Sequence, residues 1–278
     1  MLLRAVRQTL CVSSGLLLEA LAPLRAESRR TAILLDIDGT LAPIVEYAAE
    51  AHVPEPTRKL LIGVCRRYKL VACVSGRPAS QARAMVSIGA ITYIGSHGAE
   101  LLRAGWTEAR LDPQVQEWVR RIGEFGRVAD TPQLRRRRVR IEDKGPIVAF
   151  HWRGAPDQEL ARAEVERLAE QASGEGLLTH WGRKVLEVRP PVRIDKGAGI
   201  RSLLADAEVG LALYCGDDVT DLDAFRAMAA MRDEGALERI VRVGVRSEEG
   251  PPEIAEEADL VVDGTRGVQE LLAKLAEP

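Results

Sequence analysis

The stretch AILLDIDGTLAPIV (residues 32–45) sets an apolar run directly against two aspartates, Asp36 and Asp38, with a glycine and a threonine behind them. A short apolar run followed by DG reads as a buried strand that ends in a tight turn. Two carboxylates this close repel one another, and burying them is costly unless something compensates. In a parallel sheet covered by helices, functional groups of this kind collect just beyond the carboxyl ends of the strands.

The text on either side follows the same pattern. Further runs read as buried strands at 69–75, 91–96, 211–216, 239–245 and 259–264, and segments with helical spacing such as 56–67 and 78–87 lie between them. This alternation predicts an α/β core, a parallel sheet with helices on both faces. Residues 104–190 break the rhythm. They read as helix (113–125), strand (138–142), strand (147–152), helix (156–172), strand (177–181) and strand (184–188), an α+β unit inserted into the α/β chain. The expected division is an N-terminal helix within 1–28, a core formed by 29–103 and 191–278, and an inserted cap at 104–190, with linkers near Gly105 and Pro190–Pro191. The leading helix is expected to stop before Pro23 and pack on the body. The run Arg135–Arg138 reads as a solvated basic edge.

Composition narrows the class. The 278 residues are 46% hydrophobic and 29% charged, with a formal net charge of −2. That supports a sizeable core and argues against a nucleic-acid binder, which would be clearly basic. No apolar run reaches about 18 residues, so no membrane span is expected. The N-terminus has early arginines and an apolar stretch, but Glu19 interrupts it and no small-residue cleavage site follows, against a targeting peptide. Cys11, Cys65, Cys73 and Cys215 form no CxxC pair and read as buried thiols in a reducing compartment, which places the protein in the cytoplasm.

Four strand ends carry chemistry: DIDGT (36–40), SGRP (75–78), DKG (195–197) and GDDVTD (216–221). Carboxylates at two of them suggest a hard cation; Mg²⁺ takes oxygen ligands from one or two carboxylates plus waters and a substrate phosphate. Asp36, Asp217 and a backbone carbonyl could supply that site. A calcium loop fails on count, since Leu41 and Tyr47 stand where Gly and Glu would be needed after Asp36, and Leu222 and Met228 after Asp217. Asp36 can attack phosphorus and form an aspartyl phosphate, while Asp38 protonates the leaving oxygen and then deprotonates water. Ser75 and the Gly76 amide can bind the phosphoryl oxygens, and Lys196 can neutralise charge. A cysteine nucleophile of the CxxxxxR type and a histidine nucleophile of the RHG type are both missing.

Taken together, the four motifs resemble those of the haloacid dehalogenase (HAD) superfamily of phosphatases, across about 30–103 and 191–270. The resemblance implies that Asp36 is the nucleophile, Asp38 the acid/base, and Ser75 and Lys196 the phosphate binders. It also implies that Mg²⁺ is held by the Asp36 carboxylate, the Asp38 main-chain carbonyl and Asp217, with Asp218 and Asp221 as supports. The finer pattern, LDIDGTLAPIV, GSHGAE, IEDKGPIVAFHWR, GRKVLEVRPP and GDDVTDLDAF, is similar to the trehalose-6-phosphate phosphatase family and extends through the cap. Charged residues there, Glu142, Lys144, Arg153, Arg183 and Glu187, suit a neutral disaccharide, because carboxylates accept from hydroxyls and cationic side chains donate to them. Where relatives have Lys, this chain has Arg183 followed by Lys184. His97 is placed to line the sugar pocket. The implied reaction is Mg²⁺-dependent hydrolysis of trehalose 6-phosphate, with a small molecule as partner and no need for more than a monomer. The alternatives are another sugar-phosphate phosphatase, for sucrose phosphate or mannosylglycerate phosphate, and a non-catalytic sugar-phosphate sensor.

Overall fold

The computed structural model describes residues 14–45, 51–192, 194–247 and 250–277. In chain order the elements begin with α1 (Ser14–Ala26), β1 (Thr31–Asp36), α2 (Glu55–Arg67), β2 (Leu70–Val74), α3 (Ala79–Val86), β3 (Thr92–Gly95), β4 (Glu100–Leu102) and β5 (Arg110–Leu111). Then come α4 (Pro113–Ala129), α5 (Pro132–Arg136), β6 (Arg140–Asp143), β7 (Val148–His151), α6 (Gln158–Gly174), β8 (Leu178–Gly182) and β9 (Val185–Arg189). The chain finishes with α7 (Lys196–Ala205), β10 (Leu211–Gly216), α8 (Val219–Asp233), β11 (Arg239–Arg246), α9 (Pro252–Glu257), β12 (Leu260–Asp263) and α10 (Gly264–Ala276). They fall into two compact units, Met1–Arg110 with Ile194–Pro278, and Leu111–Arg193.

The first unit is built on an eight-stranded sheet in the order β12-β11-β10-β1-β2-β3-β4-β5. The run from β12 to β3 is parallel throughout, and β4 pairs antiparallel with β3. All six residues of β1 are buried. Ile33 and Leu35 pack with α1, α2, α3 and α10, and Ala32 and Leu34 with α7, α8 and α9. A strand covered on both faces favours apolar residues on both, so 32–35 carry an unbroken run instead of an alternating one, between buried Thr31 and Asp36. The order reverses at β1, which has β10 on one side and β2 on the other. This is the crevice where α/β sheets place ligands.

The leading helix differs from expectation. It does not stop before Pro23 but runs through it to Ala26. Leu17, Leu21 and Leu24 are buried in the core on that helix, and their burial outweighs the one backbone hydrogen bond that proline removes. Residues 1–13, including Cys11, lie outside the described residues. Cys73 and Cys215 are buried and Cys65 is partly buried, all as free thiols; burial pushes their pKa values up, to about 11 for Cys65. Among the described residues no helix is long and apolar enough to cross a membrane.

The second unit is a four-stranded sheet in the order β6-β7-β9-β8, antiparallel at every pairing. Val148, Phe150, Leu186 and Val188 share a core with Ile122 and Phe125 of α4 and Ala161 and Val165 of α6. Asp157 caps α6 by accepting from the Leu160 amide, and Thr131 caps α5 in the same way from Leu134. The arginine run is solvated, as expected, with Arg135, Arg136 and Arg138 exposed; Arg135 and Arg136 end α5, and Arg138 takes a left-handed turn (φ 55°) before β6.

Candidate active site

Register places the motifs. Asp36 is the last residue of β1 and pairs with Val74, so Ser75 emerges beside it from β2. Leu35 pairs with Cys215, which puts Asp217, just past β10, on the other side. Lys196 opens α7, whose N-cap Asp195 accepts from the Ala198 amide. Three strand ends and one helix start therefore converge on one point.

The geometry there is dense. Lys196 Nζ donates to Asp36 Oδ1 at 2.6 Å and to Asp221 Oδ1 at 2.6 Å, and all three side chains are buried. Burial alone would weaken the hold of Lys196 on its proton, but the two carboxylates reverse this and keep it a cation. Burial raises Asp36 well above the usual carboxylate range, opposed by Lys196, and lifts Asp217 to about 6. Thr40 donates to Asp217 Oδ1 at 2.8 Å. Gly39, at φ 87°, has no room for a side chain, because a Cβ there would overlap the Asp217 carboxylate. The first loop is thus seated against Asp217.

Asp36, Asp217 and Asp221 each offer an oxygen within 4.8 Å of the others. Three carboxylates face one ammonium, which leaves two negative charges uncompensated, and all the candidate ligand atoms are hard oxygens, so the cluster fits a divalent cation. The three are not equivalent. Asp221 Oδ1 accepts from Lys196 and from the Tyr214 hydroxyl at 2.5 Å; Oδ2 accepts from the amides of Asp217 and Asp218, both at 2.9 Å. A carboxylate has about four lone-pair sites. Asp221 is therefore saturated, which leaves Asp36 and Asp217 as the carboxylates that could hold a metal. Asp218 caps α8.

Asp38 sits in the fork of Arg77, with Nε–Oδ2 at 2.8 Å and Nη2–Oδ1 at 2.7 Å. Ser75 is fully buried; its hydroxyl oxygen accepts from the Arg77 amide. The His97 ring lies so close to Gly76 that a Cβ there would overlap it, and the His97 amide donates to the Ser75 carbonyl at 3.1 Å. His97 is thereby placed against the SGRP loop.

The cap residues fall into two groups. On the sheet face opposite the helices, His151 Nε2, in the tautomer that carries its proton there, donates to Glu142 Oε2 at 2.9 Å, and Lys144 donates to Glu187 at 3.2 Å. Arg189 also grips Glu187, whose pKa these cations lower against the effect of burial. Arg153 and Arg183 lie at the other end of the sheet, where Arg153 Nη2 reaches the Arg183 carbonyl at 3.4 Å. Reading the sequence alone missed the parts played by Thr40, Arg77, Tyr214, His151 and Arg189. Four of them stand inside the quoted motifs, Thr40 in DIDGT, Arg77 in SGRP, His151 in IVAFHWR and Arg189 in KVLEVRPP; Tyr214 had no signal.

Comparison with known proteins agrees with this layout. Residues 34–255 match the family model described as trehalose-phosphatase. The chain is 30% identical to a probable trehalose-phosphate phosphatase of Sinorhizobium fredii, over 92% of this chain and 91% of that protein. It is 30% identical to probable trehalose-phosphate phosphatase 9 of Oryza sativa, over 78% of this chain, but spans only 64% of that relative's length. The structure of Aspergillus fumigatus trehalose-6-phosphate phosphatase superposes with a TM-score of 0.66 at 20% identity, covering 96% of this chain and 98% of that one. A haloacid dehalogenase-like hydrolase from Bacteroides thetaiotaomicron gives 0.58 at 16%, over 87% of this chain and 98% of that one. At such identities these two structures establish the fold, a HAD-like core with an inserted α+β cap, and the match across residues 34–255 establishes that the chain belongs to the trehalose-phosphatase family.

Proposed function

We propose that the protein hydrolyses trehalose 6-phosphate to trehalose and inorganic phosphate, with Asp36 as nucleophile and Mg²⁺ as cofactor. The observation that carries this reading is the buried meeting of the Asp36, Asp217 and Asp221 carboxylates with the single ammonium of Lys196, which leaves two negative charges uncompensated. Asp36, Asp217 and the main-chain carbonyl of Asp38 would hold the cation. Bound there, Mg²⁺ supplies positive charge for the phosphoryl oxygens.

Asp36 attacks phosphorus and the bond from phosphorus to the sugar oxygen breaks; that oxygen takes its proton from Asp38. Asp38 then removes a proton from water, the water oxygen attacks phosphorus, and the bond to Asp36 breaks to release phosphate. Both Asp38 oxygens are occupied by donors of the Arg77 guanidinium. One arm of the Arg77 fork must therefore yield whenever Asp38 is protonated. Ser75, the Gly76 amide and Lys196 bind the phosphoryl oxygens. The cap, at about 104–190, selects the sugar through Glu142, Lys144, Arg153, Arg183 and Glu187, and His97 contacts the substrate beside the SGRP loop.

The test is phosphate release from trehalose 6-phosphate, sucrose phosphate, mannosylglycerate phosphate and glucose 6-phosphate, each with and without Mg²⁺. The expected result is turnover of trehalose 6-phosphate only with Mg²⁺ and poor turnover of glucose 6-phosphate, which lacks half of the sugar contacts. Equal kcat/KM for those two esters, or full activity without the metal, would refute the reading.

A further inference from the structure

We propose that Tyr214 is a positioning residue that decides which aspartates hold the metal: its hydroxyl fills the last acceptor site of Asp221, keeping Asp221 off the cation and Lys196 on Asp36. This rests on the phosphatase reading only for its kinetic part.

The Asp221 carboxylate accepts four hydrogen bonds. Two come from the Asp217 and Asp218 amides, fixed by the start of α8, and a third comes from Lys196, which Asp36 also binds. The fourth comes from Tyr214, and it is the one donor that can be deleted without moving the backbone or changing the charge of the cluster. Tyr214 is fully buried in the middle of β10, and its ring packs edge-on against Phe225, centroids 5.9 Å apart. Packing therefore fixes where the hydroxyl points, independently of Asp221. Gly216 completes the arrangement, because a side chain there would overlap the Asp221 carboxylate.

Without the hydroxyl, Asp221 Oδ1 has a free lone pair within reach of the oxygens of Asp36 and Asp217. A third carboxylate would then join the cation. Affinity would rise with the added charged ligand, while Lys196, sharing that oxygen, would be pushed from its place on Asp36. Tighter binding and slower turnover should appear together.

The experiment compares full-length wild type with Tyr214→Phe, and with Tyr214→Leu as a second hydroxyl-free variant. Mn²⁺ binding is followed by electron paramagnetic resonance without substrate, together with kcat and KM for trehalose 6-phosphate and the melting temperature. The expected result is a Kd for Mn²⁺ lower by about threefold or more and a kcat lower by about tenfold at nearly constant KM, on the scale of one hydrogen bond to a charged group. Unchanged Kd and kcat would overturn the proposal. So would a weaker Kd together with a lower melting temperature, the mark of a merely structural role. If wild type releases phosphate from no ester, the phosphatase reading fails, and the Mn²⁺ measurement still decides the role of Tyr214.

Discussion

Lys196 with Asp36, and Lys144 with Glu187, are the same chemical pair in two settings. In the first the side chains are 4% and 5% exposed; in the second, 39% and 17%. The buried pair has no water to stand in for a lost partner. It belongs to a cluster in which Asp217 and Asp221 add two further carboxylates, so the cluster as a whole carries excess negative charge. On the cap, Glu187 is shared between Lys144 and Arg189, and Glu142 between His151 and Arg140, so each carboxylate is balanced at the surface. Partners of that kind can be exchanged for the hydroxyls of a ligand at little cost, because solvent screens the exchange. The core cluster is thus suited to fixed chemistry, and the cap face to recognition.

That contrast can be tested by unequal mutational effects. Asp36→Asn should abolish turnover, by a factor on the order of 10⁴ or more, with the fold retained. Phosphate release and a melting curve check both halves, and sustained activity would remove Asp36 from the mechanism. Lys196→Met should lower kcat by about 10²–10³-fold. It should also destabilise the fold by about 3–5 kcal/mol, because two buried carboxylates lose their cation. A stability change as small as that of a surface pair would break the comparison. Glu187→Gln should raise KM about tenfold and leave kcat nearly unchanged, with a stability loss below about 1 kcal/mol. A fall in kcat with constant KM would place Glu187 in the chemistry instead.

The smallest expected effect is one of pH. A carboxyl raised by burial to about 6, as Asp217 is, binds a proton in the folded chain that the unfolded chain has already lost. The cation-free protein should therefore gain stability as pH falls through about 6, while a bound cation must displace that proton. The rise in melting temperature on adding Mg²⁺ should accordingly shrink between about pH 7.5 and 5.5. An equal rise at both values would mean that Asp217 does not bind the cation.

Much of the fold was legible because its signals are local. The strand expected at 211–216 is β10 residue for residue, and the unbroken apolar run of β1 announced a sheet covered on both faces. Helix 14–26 was misjudged at Pro23 because a local rule met a long-range one, the burial of Leu21 and Leu24. β4, β5 and α5 are short and have too few residues for a periodic pattern to register. At the site, the motif aspartates were visible from spacing alone. Tyr214 was not, because a tyrosine inside an apolar run looks like any other core residue until its hydroxyl is traced to Asp221.

The sequence alone determined an alternating α/β core with an α+β insertion, three motifs at strand ends with a fourth that opens a helix, and a concentration of carboxylates around Asp36 that suits a cation. These follow from hydrophobic period and from charge, both properties of neighbouring residues. Tertiary structure decided how the acidic residues divide their work. Asp221 is saturated and Asp217 is not; Asp38 lies in the grip of Arg77; Arg153 and Arg183 stand apart from Glu142 and Glu187. Those distinctions depend on which donors reach which oxygen, and the donors come from residues up to 177 positions away in the chain.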